Sequence, residues 1–279
     1  MRAPAIRTPG GIAHRRLRRG FLALGVVLAI ALPSACGEDD PEPAAPESDP
    51  EAAAAAVVSA LRAALPLPEL TTPAPAIVPG PRFGLARVRD EALVRLRAAP
   101  GGRVITTLGD RTEFNSPRTL WIREIRGDWF GVPTPELGNG RLGWIRDDRT
   151  RLEVYQTQFW IRADRSGRVL ELRYGNRLLD AFPVTVGRPG SETPLGAYSI
   201  TDALAGRSLG VYYGCCALAL TGRQPSLPPG WFGGDRMAIH GTPGEVGGAS
   251  SAGCLRTTDE TMVSLFGRVP LGTPVFVRA

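Results

Sequence analysis

Two alternating runs joined by a glycine turn constrain this chain most. They are Phe159-Trp160-Ile161-Arg162-Ala163-Asp164 and Arg168-Val169-Leu170-Glu171-Leu172-Arg173-Tyr174, with Arg165-Ser166-Gly167 between them. A period of two suits a pleated strand with one buried face and does not suit a helix, so the pair predicts a β-hairpin. Gly175-Asn176 turns the chain again into 178–186, where Pro183 marks a strand edge or bulge. Shorter runs lie upstream at 93–96, 103–106, 120–125 and 129–132, and the turn Gly138-Asn139-Gly140-Arg141-Leu142-Gly143 leads into Trp144-Ile145. Strands at this spacing predict a small barrel. The chain has 34 glycines and 26 prolines and few helical periodicities, so the expected class is mainly β.

The beginning of the chain reads differently. Arg15, Arg16, Arg18 and Arg19 form a basic region, and the apolar core Phe21–Leu32 is short for a bilayer span. Residues 1–36 are therefore expected to be an export signal. Arg18-Arg19-Gly20-Phe21-Leu22 is similar to a twin-arginine signal, and the general export route is the alternative. Ser34-Ala35-Cys36 resembles a lipobox, with Pro33 where leucine is usual, so Cys36 is the expected lipidation site. Residues 37–80 are rich in proline, alanine and acids, a composition too poor in apolar surface to fold alone, and read as a tether. The expected location is the cell envelope, on the outer face of the cytoplasmic membrane through a lipid anchor, or the periplasm. Residues 1–35 hold six arginines and no acid, the chain has no lysine, and the remaining 27 arginines balance 27 acids. That balance gives no electrostatic case for nucleic acid.

The stretch Met237–Arg256, MAIHGTPGEVGGASSAGCLR, carries the chemistry. Met237-Ala238-Ile239 reads as the end of a buried strand, and the small residues after His240 read as a loop. Thr257 is the expected N-cap of a helix with Glu260 at its third position, Met262, Leu265 and Phe266 on its apolar face, and Gly267 at its end. Cys254 would then lie just ahead of a helix N-terminus, where the dipole favours a thiolate. A thiolate with an imidazole nearby is the minimum for acyl transfer. The backbone N–H groups of Gly253 and Cys254 are candidate oxyanion donors.

This stretch resembles the catalytic signature of the L,D-transpeptidases of the YkuD family. The resemblance lies in His240-Gly241-Thr242 and in Ser251-Ala252-Gly253-Cys254-Leu255-Arg256, with Ala252 where the family has a second histidine. The run Gly187 to Gly196, with Thr193-Pro194-Leu195-Gly196, and the closing Gly272-Thr273-Pro274-Val275-Phe276-Val277 are similar to two further landmarks. The resemblance implies a YkuD-type β-sandwich over 155–279, with Cys254 as nucleophile, His240 as base, and Gly253 and Ser251 in the site loop. Arg256, Gly241 and Thr242 are the implied substrate-binding residues, Arg256 as a carboxylate clamp or a loop-fixing ion pair. The implied reaction is formation of 3-3 cross-links between peptidoglycan stem peptides, in cell-wall biogenesis and cell shape. Carbapenem β-lactams are the implied inhibitors, and no metal or cofactor is implied. Alternatives are a weakly active or non-catalytic peptidoglycan-binding member, an L,D-carboxypeptidase, or an enzyme attaching protein to the wall. Residues 81–150, with Trp129 and Gly143-Trp144-Ile145, resemble bacterial Src-homology-3-type barrels, and core packing is the expected role of Trp121, Trp129 and Trp144.

Cys215 and Cys216 are adjacent, and neighbours on a strand point to opposite faces, which argues against zinc. One is expected to pack inward and the other to face the site or solvent, with a vicinal bridge as the alternative. A Ser-Lys dyad has no lysine to use, and a Ser-His pair with Thr193, Ser250 or Ser251 is the weak competitor of Cys254.

Overall fold

The computed structural model describes residues 78–279. The export signal, Cys36 and nearly all of the tether lie outside the described residues.

Strands β1 (Phe83–Val88), β2 (Val94–Arg97), β3 (Val104–Leu108), β4 (Thr119–Ile122), β5 (Glu124–Arg126), β6 (Trp129–Val132), β7 (Gly143–Arg146) and β8 (Leu152–Thr157) build the first half. They form two sheets, ordered β4-β1-β8 and β3-β2-β7-β6-β5. Leu85, Leu96, Val132, Ile145 and Leu152 are fully buried in this half. Strands β1 and β8 were not legible as alternating runs. Their antiparallel pairing, from Phe83↔Thr157 to Val88↔Leu152, carries this half to residue 157, beyond 150. The expected run 120–125 divides at Arg123, whose N–H donates to Gly131 O across the sheet at 2.9 Å. Trp121 and Trp144 are buried, and Arg126 lies over the Trp144 ring at 4.6 Å.

The second half begins with the expected hairpin, β9 (Phe159–Asp164) and β10 (Val169–Tyr174), followed by β11 (Arg177–Pro183). Pro183 ends β11, which is an edge strand where a missing N–H leaves no ladder position empty. Then come β12 (Val186–Gly187), β13 (Gly196–Ala205), β14 (Cys216–Arg223), β15 (Arg236–Gly241), β16 (Ala249–Ser251), β17 (Leu255–Thr257), the helix α1 (Asp259–Phe266) and β18 (Pro274–Arg278). Eight of these strands form one sheet, ordered β11-β10-β9-β18-β13-β14-β15-β17. Ile161, Leu170, Ile200, Leu218, Leu220, Ile239 and Leu255 line its core face, and Met262 and Leu265 of α1 pack on the same core. The class is thus mainly β, as the alternation implies.

The two halves meet through aromatic rings. Phe276 of β18 lies 6.1 Å from Phe83, 5.6 Å from Trp121 and 5.9 Å from Trp160, between ring centroids. Such edge-on and tilted pairs add about 0.5–1.5 kcal/mol each beyond their buried area.

Two local expectations are corrected. The cap of α1 is Thr258, not Thr257, and its hydroxyl accepts from Thr261 N–H at 3.2 Å. Thr257 belongs to β17, where its buried side chain continues the alternation from Leu255. Cys215 and Cys216 form a vicinal disulfide, so they do not divide between two faces of a strand. The bridge is accommodated because Cys215 lies before β14, where the chain leaves the short 3-10 turns at 206–209 and 211–213.

Leu218 is fully buried in the middle of the eight-stranded sheet. Leu218→Ala should cost about 2–5 kcal/mol of unfolding free energy, read by urea denaturation. Val211→Ala, at a position 78% exposed, should stay within about 0.5 kcal/mol of the parent.

Candidate active site

Strands β15 and β17 run parallel, with Ile239↔Leu255, His240↔Arg256 and Gly241↔Thr257 as partners. Ile239 and Leu255 both face the core. Alternation therefore turns Ala238, His240, Cys254 and Arg256 to the other face of the sheet. Residues sixteen apart in sequence become neighbours by pairing, and Cys254 lies two residues before the partner of His240, without any loop having to fold over the site. The stretch before Cys254 is not all loop: Ala249–Ser251 pairs in parallel with Val186–Gly187. Cys254 does not precede a helix. Strand β17 separates it from α1, so the macrodipole of α1 does not reach the thiol.

His240 is 4% exposed. Its Nδ1 lies 2.6 Å from Gly241 O. A carbonyl only accepts, so Nδ1 carries the hydrogen and Nε2 keeps its lone pair. Burial, aided by the Arg256 charge, lowers the imidazole pKa to about 4. Cys254 is half-buried. Burial raises its pKa above the ordinary value, against the lowering by Ala238 N–H and by Arg256. The resting pair is therefore neutral thiol and neutral imidazole, not the thiolate suggested by a helix terminus. The thiol donates to Arg236 O at 3.9 Å.

Ser251 is fully buried, and its hydroxyl fixes the turn that carries Cys254. It donates to Cys254 O at 2.6 Å and accepts from Gly253 N–H at 3.0 Å. Gly253 has φ +119°, and a Cβ there would come 2.0 Å from Gln224 Nε2. Only glycine fits. Gln224 in turn donates to Ser191 O and Glu192 O, which ties the turn to the segment before β13. Gly241 contributes its carbonyl to His240 and is glycine because a Cβ would meet Asp259 Oδ1 at 2.0 Å. Thr242 Oγ1 accepts from Gly244 N–H at 3.2 Å and starts the turn leaving β15.

Arg256 makes no ion pair among the described residues, and its Nε is buried without a hydrogen-bond partner. The loop-fixing ion pair is thus not formed, and the cation faces the same side as Cys254 and His240. Tyr213 went unnoticed in the sequence. Its ring sits 4.8 Å from the His240 ring, and burial, then the nearby Cys254, raises its pKa. The only sequence signal for it is an aromatic pair bracketed by Gly210 and Gly214. The disulfide loop is pinned to α1 by Cys215 N–H, which donates to Asp259 Oδ1 at 3.0 Å. Among the described residues no group of three or more His, Cys, Asp or Glu side chains is placed to hold a metal ion.

Because the folded pKa of His240 is depressed, its contribution to stability is complete above about 6.5 and is lost as pH falls toward about 4. Unfolding free energies in urea at pH 7.5 and pH 4.5, compared with those of His240→Gln, should show an excess loss in the parent on the order of 3 kcal/mol. A parallel decline in both proteins would mean that the imidazole is not held neutral.

Residues 158–277 match the family YkuD, L,D-transpeptidase catalytic domain. A Bacillus subtilis protein assigned as the L,D-transpeptidase YkuD is 28% identical over 127 residues, which are 45% of this chain and 69% of that protein. Its Bacillus licheniformis counterpart is 31% identical over 121 residues, 40% of this chain and 61% of that protein. Among solved structures, an L,D-transpeptidase from Mycobacterium smegmatis is 18% identical, with TM-score 0.35, and covers 50% of this chain and 73% of its own. Bd1075 of Bdellovibrio bacteriovorus is 22% identical, with TM-score 0.36, and covers 44% of this chain and 48% of its own. Over residues 158–277 the chain is thus similar to L,D-transpeptidase catalytic domains of the YkuD family.

Proposed function

We propose that this protein is a peptidoglycan L,D-transpeptidase acting through a Cys254 acyl-enzyme. The observation that carries the reading is the parallel register of β15 and β17, which turns His240, Cys254 and Arg256 to one face. The family match over 158–277 supports it.

In this mechanism His240 Nε2 takes the Cys254 proton as the sulfur attacks the carbonyl at the L-centre of diaminopimelate in a tetrapeptide stem. The tetrahedral intermediate collapses as the imidazolium returns the proton to the leaving amine, and D-alanine departs. A thioester remains on Cys254. The amine of a second stem attacks it, gives its proton to His240 and restores the thiolate, which recovers the proton. A neutral imidazole suits this cycle, since it must accept before it donates. Gly241 O stabilises the imidazolium while it exists. The free guanidinium of Arg256 clamps a stem carboxylate, the planar pairing at which arginine excels. The Cys254 N–H supplies an oxyanion donor, while Gly253 N–H is shared with Ser251 Oγ. Ala252 removes a further donor near the oxyanion and slows the reaction without changing its type.

We assign lipidation to Cys36 and an envelope location to the protein. The first half, 83–157, is assigned as a Src-homology-3-type wall-binding module beside the catalytic half.

Incubation with a carbapenem, followed by intact mass and peptide mapping, tests the chemistry. The parent should gain one adduct on Cys254 slowly. Cys254→Ser and His240→Ala should gain none over the same interval, and Ala252→His should react about tenfold faster or more. Equal rates for the parent and His240→Ala would make His240 structural and favour a wall-binding protein without turnover. Muropeptide products then separate cross-linking from trimming to the tripeptide.

A further inference from the structure

The proposed chemistry uses one end of β15 and leaves its first residue, Arg236, without a role. Its side chain is only 12% exposed. Nε donates to Leu220 O at 3.0 Å, and Nη2 donates to Thr201 Oγ1 at 2.8 Å. Nη1 crosses to the first half, where it pairs with Glu113. The guanidinium also lies 5.8 Å from the centre of the Phe114 ring. Beside it Asp202 is fully buried, bonded through one oxygen to Thr112 of the first half. The other oxygen has no hydrogen-bond partner and lies 3.9 Å from Arg236 Nη2, at a cavity of about 60 Å3 between the halves.

The partner of Arg236 across the β14–β15 ladder is Arg223. The first half holds it in the same manner. Arg223 N–H donates to Asn139 Oδ1 at 2.9 Å, Asn139 Nδ2 donates to Arg223 O at 2.7 Å, and Arg223 Nε donates to Pro135 O at 2.9 Å. On their other side the same strand ends meet the nucleophile turn. The Cys254 thiol donates to Arg236 O, and Gln224, next to Arg223, fills the space beside Gly253.

Two arginines therefore stand between the first half and the sulfur. A mostly buried guanidinium gains little net stability from its partners, because desolvation offsets the attraction. Its hydrogen bonds are directional, however, and fix register and position.

We infer that Arg236, assisted by Arg223, is a positioning residue through which the first half sets the place of the Cys254 sulfur. The inference rests on Cys254 being the nucleophile. Displacing a reacting atom by about 1 Å can cost on the order of a hundredfold in rate, so loss of the clamp should be visible in chemistry before it is visible in folding.

The test uses the full chain in four forms: parent, Arg236→Ala, Arg236→Lys, and the double variant Glu113→Gln with Asn139→Ala. The double variant alters only the first half. Two readouts are taken, acylation by one carbapenem over a concentration series and alkylation of Cys254 by iodoacetamide against pH, both located by peptide mass. The charged or titratable groups facing the sulfur, Arg256, His240 and Tyr213, are unchanged in every form. Arg236→Ala should lower the limiting acylation rate by about tenfold to a hundredfold and leave the half-saturating concentration unchanged. Arg236→Lys should fall between, since an ammonium keeps the charge without the fork. The double variant should move in the same direction, and the alkylation midpoint should shift in every variant that slows. If Arg236→Ala does not fold, the double variant decides. Parent-like acylation and alkylation in a folded double variant would overturn the inference while leaving the transpeptidase reading intact. If the parent itself is not acylated, that reading fails, and the alkylation midpoints alone sustain or reject the clamp.

Discussion

The site depends on one pairing, the parallel ladder between β15 and the three residues of β17. A parallel pair keeps side chains of partner residues on the same face. The ladder places Ile239 and Leu255 in the core and so fixes the orientation of His240, Arg256 and the adjacent Cys254 by the same hydrogen bonds. A slip of one residue would bury Arg256 and expose Leu255, at a cost far beyond any gain in pairing. Register at the site is thus enforced by the core beneath it. The bridge from Thr185 to Arg256 holds the outer edge of β17, with N–H to O distances of 2.8 and 2.9 Å.

The electrostatics follow from burial. His240 is packed among strands and a tyrosine ring, and its one hydrogen bond to Gly241 O selects the tautomer without charging the ring. Cys254 has a cation nearby, yet desolvation outweighs it and the thiol stays protonated. Arg256 contributes a guanidinium that no carboxylate of the described residues neutralises. A neutral thiol and a neutral imidazole thus share one face of the sheet with a cation that has no ion-pair partner among the described residues.

Much of this was legible in the sequence. The hairpin β9–β10 announced itself by alternation and a glycine turn, and His240 by the apolar run before it. The order of His240, Cys254 and Arg256 gave the family resemblance. Other features were hidden for physical reasons. Strand β14 is buried along almost its whole length, so Cys216 to Gly222 shows no alternation to read. The N-cap moved by one residue because Thr257 and Thr258 are chemically equal as caps, and the choice between them was made by burial of Thr257 in a strand. The thiolate expectation failed because three residues of strand lie between Cys254 and the helix. Tyr213, Gln224 and Arg236 reach the site through tertiary contacts that leave no local pattern.

The place of β18 in the sheet has a kinetic consequence. It follows every other strand in sequence yet lies between β9 and β13, with Val275 beside Ile161 and Tyr198 beside Val275. Until it inserts, the sheet is two open pieces with unpaired edges, and Phe276 is missing from the aromatic cluster joining the halves. Contacts between residues more than a hundred positions apart must then form late and together, the condition for slow, cooperative folding of high contact order. Such a delay leaves two open sheet edges as templates for stray pairing until β18 is in place.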